Sequence, residues 1–229
     1  MEAVMLERLL IVPVTLAALL THPVPSAAQI PDPANSECPP QGWIYVVGHD
    51  GTVGDARGEF CIIVRDFNNV PIENSSVVLD FSGCDIQLCI DQLDPDVIVD
   101  CVSQTVRKLT DLGGKACFRV IGKSRSGLGC GGQPPRCVQI FADGVFLCSL
   151  SAPTFDLVNN PDGSGVGAED LAAWLSAYFC GSNPVRADYL CDGAVGATDL
   201  ARWLTVYFAL GSSLSCPPPK DPVNGPKCP

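Results

Sequence analysis

A duplicated stretch near the C-terminus limits the folds open to this chain. Residues 166–179, VGAEDLAAWLSAYF, recur 29 positions later as residues 195–208, VGATDLARWLTVYF, with ten of the fourteen positions identical. A short unit repeated in tandem is usually a supersecondary element that cannot bury its apolar face alone, so the second copy supplies the missing surface. The sequence therefore predicts two such units packed together.

Each copy contains an apolar pattern of helical period. Apolar side chains recur at i, i+3, i+4, i+7 and i+8, which is one stripe on a helix. The stripes comprise Leu171, Trp174, Leu175, Tyr178 and Phe179 in the first copy, and Leu200, Trp203, Leu204, Tyr207 and Phe208 in the second. We interpret them as the packing surface between two antiparallel helices, each ended by the glycine that follows it.

The loop before the second helix has the spacing of a calcium site. Residues 188–199 place carboxylates at loop positions 1, 5 and 12 and a glycine at position 6. Calcium takes roughly six to eight oxygen ligands, which a twelve-residue loop supplies from positions 1, 3, 5, 7 (a backbone carbonyl), 9 and 12. The predicted ligands of Ca²⁺ in this loop are Asp188, Asp192, the carbonyl of Ala194, and Asp199. We also expect Val195 to form a short β-bridge with Val166.

The loop before the first helix is less regular. It spans fifteen residues rather than twelve, and its Asp-Gly pair lies one residue too far from Val166. Its predicted calcium ligands, which depend on how the extra residues bulge, are Asp156, Asn160, Asp162 and Asp170. The second loop has Leu190 at position 3, where a side-chain oxygen is missing, so its affinity should be reduced. A pair of helices that stays folded without metal is the alternative.

An acidic loop followed by Asp-Leu-Ala-x-Trp-Leu, present twice, resembles the type I dockerin over residues 155–215. The resemblance implies a duplicated half EF-hand, in which one loop and one helix form each calcium unit, and it implies docking to a cohesin-type receptor or another cell-surface scaffold. In that family, loop positions 10 and 11 help to choose the partner. The matching residues are Ala168, Glu169, Ala197 and Thr198.

The N-terminus and the cysteines both predict export. An apolar run at residues 9–20, a proline-containing break and the small residues Ser-Ala-Ala at 26–28 are typical of a signal peptide covering residues 1–28, and the run is shorter than the roughly 20 residues that a membrane span needs. Thirteen cysteines with only two histidines, and no Cys-x-x-Cys pair, favour disulfides in an oxidising compartment over a zinc site.

The pairing of the cysteines stays open. Nine cysteines lie at residues 38–148 and four at residues 180–228. The odd number in the first group leaves one thiol free, bridged to the second group, or paired with another chain. Within the second group, Cys180 with Cys191 and Cys216 with Cys228 are the pairings that we favour among three connectivities.

Between the leader and the repeat the sequence has β character. Short segments rich in Val, Ile and Phe alternate with Gly, Pro, Asn and Asp turns and show no helical period. Asp143-Gly144 predicts a type I′ hairpin turn. The predicted strands are 43–47, 60–65, 76–81, 97–99, 116–121, 138–141 and 145–150. They favour an antiparallel β-sandwich in which 83–101 and 122–136 are long loops.

Three segments of this region, 62–72 (IIVRDFNNVPI), 77–81 (VVLDF) and 110–118 (TDLGGKACF), resemble bacterial Ig-like domains of the invasin and intimin type. The predicted fold class is therefore mixed, with an antiparallel Ig-like β-sandwich followed by a small α-helical duplicated half EF-hand (dockerin-like) domain. The predicted divisions are a signal peptide at 1–28, a linker at 29–40, the sandwich at 41–151, the repeat domain at 152–215 and a Pro-rich tail at 216–229.

The residues offer no catalytic motif. There is no nucleophile elbow, no His-Glu-x-x-His and no phosphate-binding glycine loop, so we predict that the protein is not an enzyme. With 25 acidic against 14 basic residues, nucleic acid and anionic membranes are poor partners. We expect a secreted, calcium-binding interaction or adhesion protein. The alternatives are a carbohydrate-binding accessory of a polysaccharide-degrading system, with Trp43 and Tyr45 as a sugar-stacking platform, and a small secreted hydrolase.

Overall fold

The structure, a computed structural model, describes residues 29–46, 58–90, 92, 94, 96–125, 136–158, 166–180, 187–190 and 192–210. These residues form nine strands and two helices. The strands are β1 (Glu59–Ile63), β2 (Ser76–Asp80), β3 (Ile86–Leu88), β4 (Ile98–Asp100), β5 (Thr105–Leu109), β6 (Lys115–Arg119), β7 (Gly122–Ser124), β8 (Val138–Ala142) and β9 (Val145–Leu150). The helices are α1 (Ala168–Cys180) and α2 (Ala197–Leu210).

The largest sheet contains five antiparallel strands in the order β4-β5-β2-β8-β9. Strand β1 pairs with β6, and β3 pairs with β7, as two separate antiparallel ladders. Side chains alternate across a strand, so Val77 and Leu79 of β2 lie in the core while Val78 faces outward. Phe118 of β6 and Ile62 of β1 belong to the same buried cluster.

The hairpin between β8 and β9 has the predicted turn. Asp143 and Gly144 both have positive φ angles, 47° and 83°, which a type I′ turn requires. The carboxylate of Asp143 also accepts hydrogen bonds from Ser75 Oγ at 2.8 Å and from the backbone N–H of Ser76 at 2.9 Å. One residue therefore shapes the hairpin and ties it to the start of β2.

Disulfides cross-link the β-rich part, as the cysteine count predicts. The bonds join Cys38 to Cys148, Cys61 to Cys117 and Cys84 to Cys137, and Cys89 and Cys101 are disulfide-bonded as well. The pairings that we favour among the last four cysteines lie outside the described residues. No helix in the part of the chain that the structure describes has both the length and the apolar character of a membrane span.

The segment before β1 packs along the rest of the fold. Glu37 forms an antiparallel bridge with Ile63 of β1. Further on, Trp43 and Val46 form parallel bridges with Ser151 and Thr154, just after β9. Residues 43–46 therefore lie beside the segment that leads from the sheet to the helices, in isolated bridges rather than in the continuous strand predicted there.

The helices share their core with residues from the β-rich part. One buried cluster contains Tyr45 and Ile121 together with Phe155, Trp174 of α1 and Trp203 of α2. Two short helices cannot enclose a core of their own, because each buries only one stripe. Here the missing surface comes from the neighbouring loops and from the β region.

The predicted fold class is wrong. An Ig-like sandwich followed by an α-helical half EF-hand domain requires two facing sheets and a separate helical module. The described residues form instead a mostly β structure, with one five-stranded antiparallel sheet, two small ladders and only two short helices. Alternation in the sequence identified strands such as β2 and β8, but hydrophobic alternation does not specify the partner of each strand.

The predicted long loops contain two strands that were not predicted. Strand β3 lies within the stretch 83–101 and β7 lies at the start of 122–136, whereas β4 corresponds to the strand predicted at 97–99. Strand β5, TVRKL, was not predicted at all, because its two adjacent basic residues weaken the alternation that marks a strand. Yet β5 is an inner strand of the sheet, paired with both β2 and β4.

Removing the bond between Cys38 and Cys148 should lower stability. It closes a loop with a sequence separation of 110, so the double variant Cys38→Ala/Cys148→Ala should lose about 2–4 kcal/mol in the free energy of unfolding. Urea denaturation followed by circular dichroism measures the loss. Cys61→Ala/Cys117→Ala, with the shorter separation of 56, is the comparison and should cost less. An unchanged midpoint for the first variant would contradict the expectation.

Candidate functional site

The second acidic loop is folded around two buried carboxylates. Asp199, in the first turn of α2, accepts hydrogen bonds from the backbone N–H of Leu190 at 3.1 Å and of Gly196 at 2.9 Å. Asp188, at the start of the loop, accepts hydrogen bonds from the N–H of Asp192 at 3.1 Å and of Gly193 at 2.8 Å. Several backbone N–H groups of the loop thus point toward the loop's own acidic side chains.

A glycine is required at position 6 of this loop. Gly193 has a φ of 89°, in the region that glycine adopts without steric cost. That conformation lets its N–H reach Asp188. The predicted sharp turn is therefore present.

The charges of Asp192 and Asp199 act on the carboxylate of Asp188. Burial raises the pKa of Asp188, the hydrogen bonds from Gly193 and Asp192 lower it, and the charges of Asp199 and Asp192 raise it further. Asp192 itself is exposed, and its Oδ1 accepts a hydrogen bond from the N–H of Ala194 at 3.0 Å. Three like charges concentrated in one loop favour a nearby cation.

The first loop repeats this arrangement. Asp170, buried in the first turn of α1, accepts hydrogen bonds from the N–H groups of Leu157 at 2.6 Å, Val158 at 2.9 Å and Gly167 at 2.7 Å. Burial raises the pKa of Asp170, and these hydrogen bonds lower it. Asp156, at the start of the loop, is also buried.

Equivalent hydrogen bonds show which residues of the two loops correspond to each other. Gly167 matches Gly196, 29 positions later, whereas Val158 matches Leu190, 32 positions later. The three extra residues of the first loop therefore lie between Val158 and Gly167. Two predicted ligands in that interval, Asn160 and Asp162, fall outside the described residues.

Each helix is hydrogen-bonded to the loop of the other unit. Trp174 of α1 donates through Nε1 to the carbonyl of Ala187 at 3.2 Å, and Trp203 of α2 donates to the carbonyl of Phe155 at 3.1 Å. Each carbonyl belongs to the residue just before the first aspartate of a loop. We call these two reciprocal bonds the tryptophan clasp. Each unit therefore donates one hydrogen bond to the other unit and accepts one from it.

The clasp region is joined to the β-rich part through aromatic side chains. Tyr45 donates its hydroxyl to the carbonyl of Tyr189 at 2.7 Å, and Tyr189 donates its own to Thr154 at 3.2 Å. The rings of Tyr189 and Phe155 stack at 4.5 Å. The guanidinium of Arg202 lies 4.9 Å from the centre of the Tyr45 ring. Tyr45 is only 3% exposed, so the platform predicted from Trp43 and Tyr45 cannot stack on a sugar.

The buried face of the helices differs from the predicted stripe. In α1 the core takes Asp170, Ala173, Trp174 and Ala177, while Phe179 is 79% exposed. In α2 the equivalent Phe208 is 78% exposed. The buried face is rotated because the aspartate that ends each loop must point inward to its N–H donors. The interpretation of the whole stripe as a helix–helix core is therefore wrong at these positions.

Two further expectations have different outcomes. The predicted partner-choosing residues, Ala168, Glu169, Ala197 and Thr198, are all exposed in the first turns of α1 and α2. The expected bridge between Val166 and Val195 is not formed. Both valines pack into the same apolar cluster instead.

Among the described residues, one group of three offers potential metal-ligand atoms all within 4.8 Å of one another, namely Glu59, Cys61 and Cys117. Cys61 and Cys117 form a disulfide, and because thiolates rather than disulfide sulfurs bind metals, this group is not a metal site. No three of the described carboxylates of the acidic loops bring ligand atoms within that distance of one another.

The chain was compared with protein-family models, with curated proteins and with solved structures, and none of them matches. The resemblances to dockerin and to Ig-like domains thus stay predictions.

Loss of either half of the clasp should destabilise the fold. Trp174→Phe and Trp203→Phe each leave a buried carbonyl without its donor, which costs about 1–3 kcal/mol. Urea unfolding measures the loss. Trp43→Phe is the control, since the described residues give its indole nitrogen no hydrogen bond, and it should change stability less. A clasp variant as stable as this control would contradict the reciprocal arrangement.

The metal-free protein should have a characteristic pH dependence. The raised pKa values of Asp170 and Asp188 mean that the folded state holds their protons more tightly than the unfolded chain. Their contribution to stability is complete below the unfolded pKa of about 3.9 and is lost as the pH rises through the folded pKa. Asp192→Asn removes a like charge beside Asp188, so it should reduce this loss.

Urea unfolding in chelator at a series of pH values gives the comparison. Glu73→Gln, which neutralises an exposed carboxylate just before β2, serves as the matched control and should follow the wild type. If Asp192→Asn also follows the wild type throughout, the loop charges are not coupled.

Proposed function

We propose that this chain is an exported, non-catalytic protein that binds calcium through its acidic loops and presents its two helices to a protein partner. The observation that carries the proposal is the pair of buried carboxylates Asp188 and Asp199 in one loop, with Asp192 at its rim. Like charges buried in one loop are costly unless a cation or protons neutralise them. Oxygen-rich acidic loops suit calcium better than softer metals.

The residues of the second loop fit a calcium ion by their chemistry. Asp188, Asp192 and Asp199 would hold the ion together with the carbonyl of Ala194. A carboxylate has about four lone-pair sites, so an oxygen that accepts a backbone N–H can still ligate a metal. In the first loop Asp156 and Asp170 would do the same, with Asn160 and Asp162 completing the set.

Calcium would act on this protein mainly as a structural ion. It would offset the repulsion among the loop carboxylates, and a ligand that binds only the folded state stabilises it in proportion to RT ln(1 + [L]/Kd). The clasp joins each helix to the opposite loop. A loop that calcium holds in one conformation would therefore also hold both helices in place. Calcium would therefore fix the surface that the helices present.

The exposed parts of the helices support a docking role. The first turns carry Ala168 and Glu169 in one copy, and Ala197 and Thr198 in the other, all accessible to a partner. Phe179 and Phe208 add large exposed rings toward the other ends of the helices. Aromatic side chains are enriched at interface centres. A cohesin-type receptor or another surface scaffold is the partner class that the dockerin-like loops suggest.

Export accounts for the disulfides. Several bonded cysteines in a small β-rich fold are typical of proteins that fold in an oxidising compartment. The apolar N-terminal run supports the same proposal.

Calcium titration of the full chain tests the proposal. Calorimetry should show saturable binding to the chelator-treated protein, and Asp192→Ala should weaken the second site by about tenfold or more, because it removes one charged ligand. Asp192 is exposed and accepts one described hydrogen bond, so the variant should fold normally. Glu73→Ala is the control for a lost surface charge. No binding heat in the wild type, or equal affinity in Asp192→Ala, would refute the calcium site.

A further inference from the structure

The outer face of the five-stranded sheet carries a row of mainly apolar side chains. The row crosses all five strands in register, because each member is paired with the next across the sheet. We call it the apolar row; it consists of Ile98, Arg107, Val78, Phe141 and Phe146. Its two ends are open to solvent, since Ile98 is 56% and Phe146 is 48% exposed.

A second row on the same face is polar. It lies two residues along β4, β5, β2 and β8 from the apolar row, and three residues along β9, where the register shifts; its members are again paired across the sheet. Its members, the polar row, are Asp100, Thr105, Asp80, Gln139 and Ser149. The sheet therefore presents the apolar row and the polar row side by side on one surface.

Two depressions lie along these two rows near β4 and β5. The larger, of about 440 Å³, is lined by Ser76, Asp96, Ile98, Arg107, Lys108 and Leu109. The smaller, of about 170 Å³, is lined by Val78, Ile98, Asp100, Thr105 and Arg107. Both share Ile98 and Arg107, so the surface is indented on either side of one arginine.

Arg107 is available to a ligand. It is exposed, and none of the salt bridges among the described residues involves it. A guanidinium carries five N–H donors and no acceptor. Acceptors lie nearby in Asp80 and Asp100, whose described hydrogen bonds to turn N–H groups all use Oδ1. The face therefore presents hydrogen-bond donors and acceptors beside the apolar row.

The size of the face argues against a protein as its sole occupant. Five strands spaced about 4.8 Å apart, with about 3.3 Å per residue along each, give a face of roughly 20 by 17 Å. That is well below the roughly 800 Å² per partner of a stable protein interface. A chain-like ligand lying across the strands would cover it.

We propose that the outer face of this sheet binds a neutral oligosaccharide laid across the strands along the apolar row. A sugar ring has apolar C–H faces, which fit Val78, Phe141 and Phe146, and rim hydroxyls that both donate and accept hydrogen bonds, which fit Arg107 and the polar row. Carboxylates at Asp80 and Asp100 disfavour an anionic glycan, as does the net charge of −11. The site is separate from the acidic loops and does not require calcium.

The test uses the full chain with neutral hexasaccharides of glucose, xylose and mannose, each measured by calorimetry with calcium and with chelator, and hexagalacturonate as the anionic comparison. We expect at least one neutral probe to bind with a Kd below about 1 mM, equally in both buffers. Arg107→Ala and Phe146→Ala should each weaken that binding about fivefold or more, the loss of roughly 1 kcal/mol expected for one contact.

Two matched controls separate this site from general surface effects. Phe67→Ala removes another exposed phenylalanine, and Arg125→Ala another exposed arginine, so both should bind like the wild type. The proposal is overturned if no neutral probe binds, if Arg107→Ala and Phe146→Ala bind normally, or if hexagalacturonate binds more tightly. Self-association that these two variants abolish, measured by sedimentation, would likewise overturn it in favour of a second copy of the chain.

Discussion

The hydrogen bond from each tryptophan to the opposite loop is the interaction on which the C-terminal part depends. A buried carbonyl without a donor is costly, and the carbonyls of Phe155 and Ala187 receive theirs only when both helices are in place. Neither copy of the repeat is complete alone. The duplication in the sequence thus has a physical reason that apolar packing by itself would not supply.

The aspartate at the end of each loop couples this clasp to the acidic site. Asp170 and Asp199 lie in the first helical turns, yet they accept N–H groups from the loops. An acceptor near a helix N-terminus is favourable, and here it also fixes how the helix is rotated. That rotation buries the tryptophans and leaves Phe179 and Phe208 in solvent. One carboxylate therefore determines both the loop and the exposed surface.

Local signals in the sequence were predictive where local physics decides the structure. The two helices, the Asp143-Gly144 turn and most of the strands follow from periodicity and turn chemistry. The fold class did not follow, because strand pairing depends on contacts distant in sequence, and β5 with its Arg107-Lys108 pair lacks clear alternation. The sugar-stacking alternative required Tyr45 to face solvent, and nothing local in the sequence reveals that its hydroxyl bonds to Tyr189. For the loops, the spacing singled out Asp170, Asp188 and Asp199, which accept backbone N–H groups of their loops, but it did not reveal the register of the longer loop.

The bond between Cys38 and Cys148 has a mechanical consequence. It joins the segment before β1 to the last strand, immediately ahead of the residues that lead into the helices. Tension between the N-terminal segment and a partner held by the helices would pass through this covalent link and along 148–158. All of the sheet except residues 148–150 of β9 lies inside the closed loop and would bear almost none of that force. If the helices dock to a partner as proposed, most of the β-fold would stay unloaded for as long as the cystine is intact.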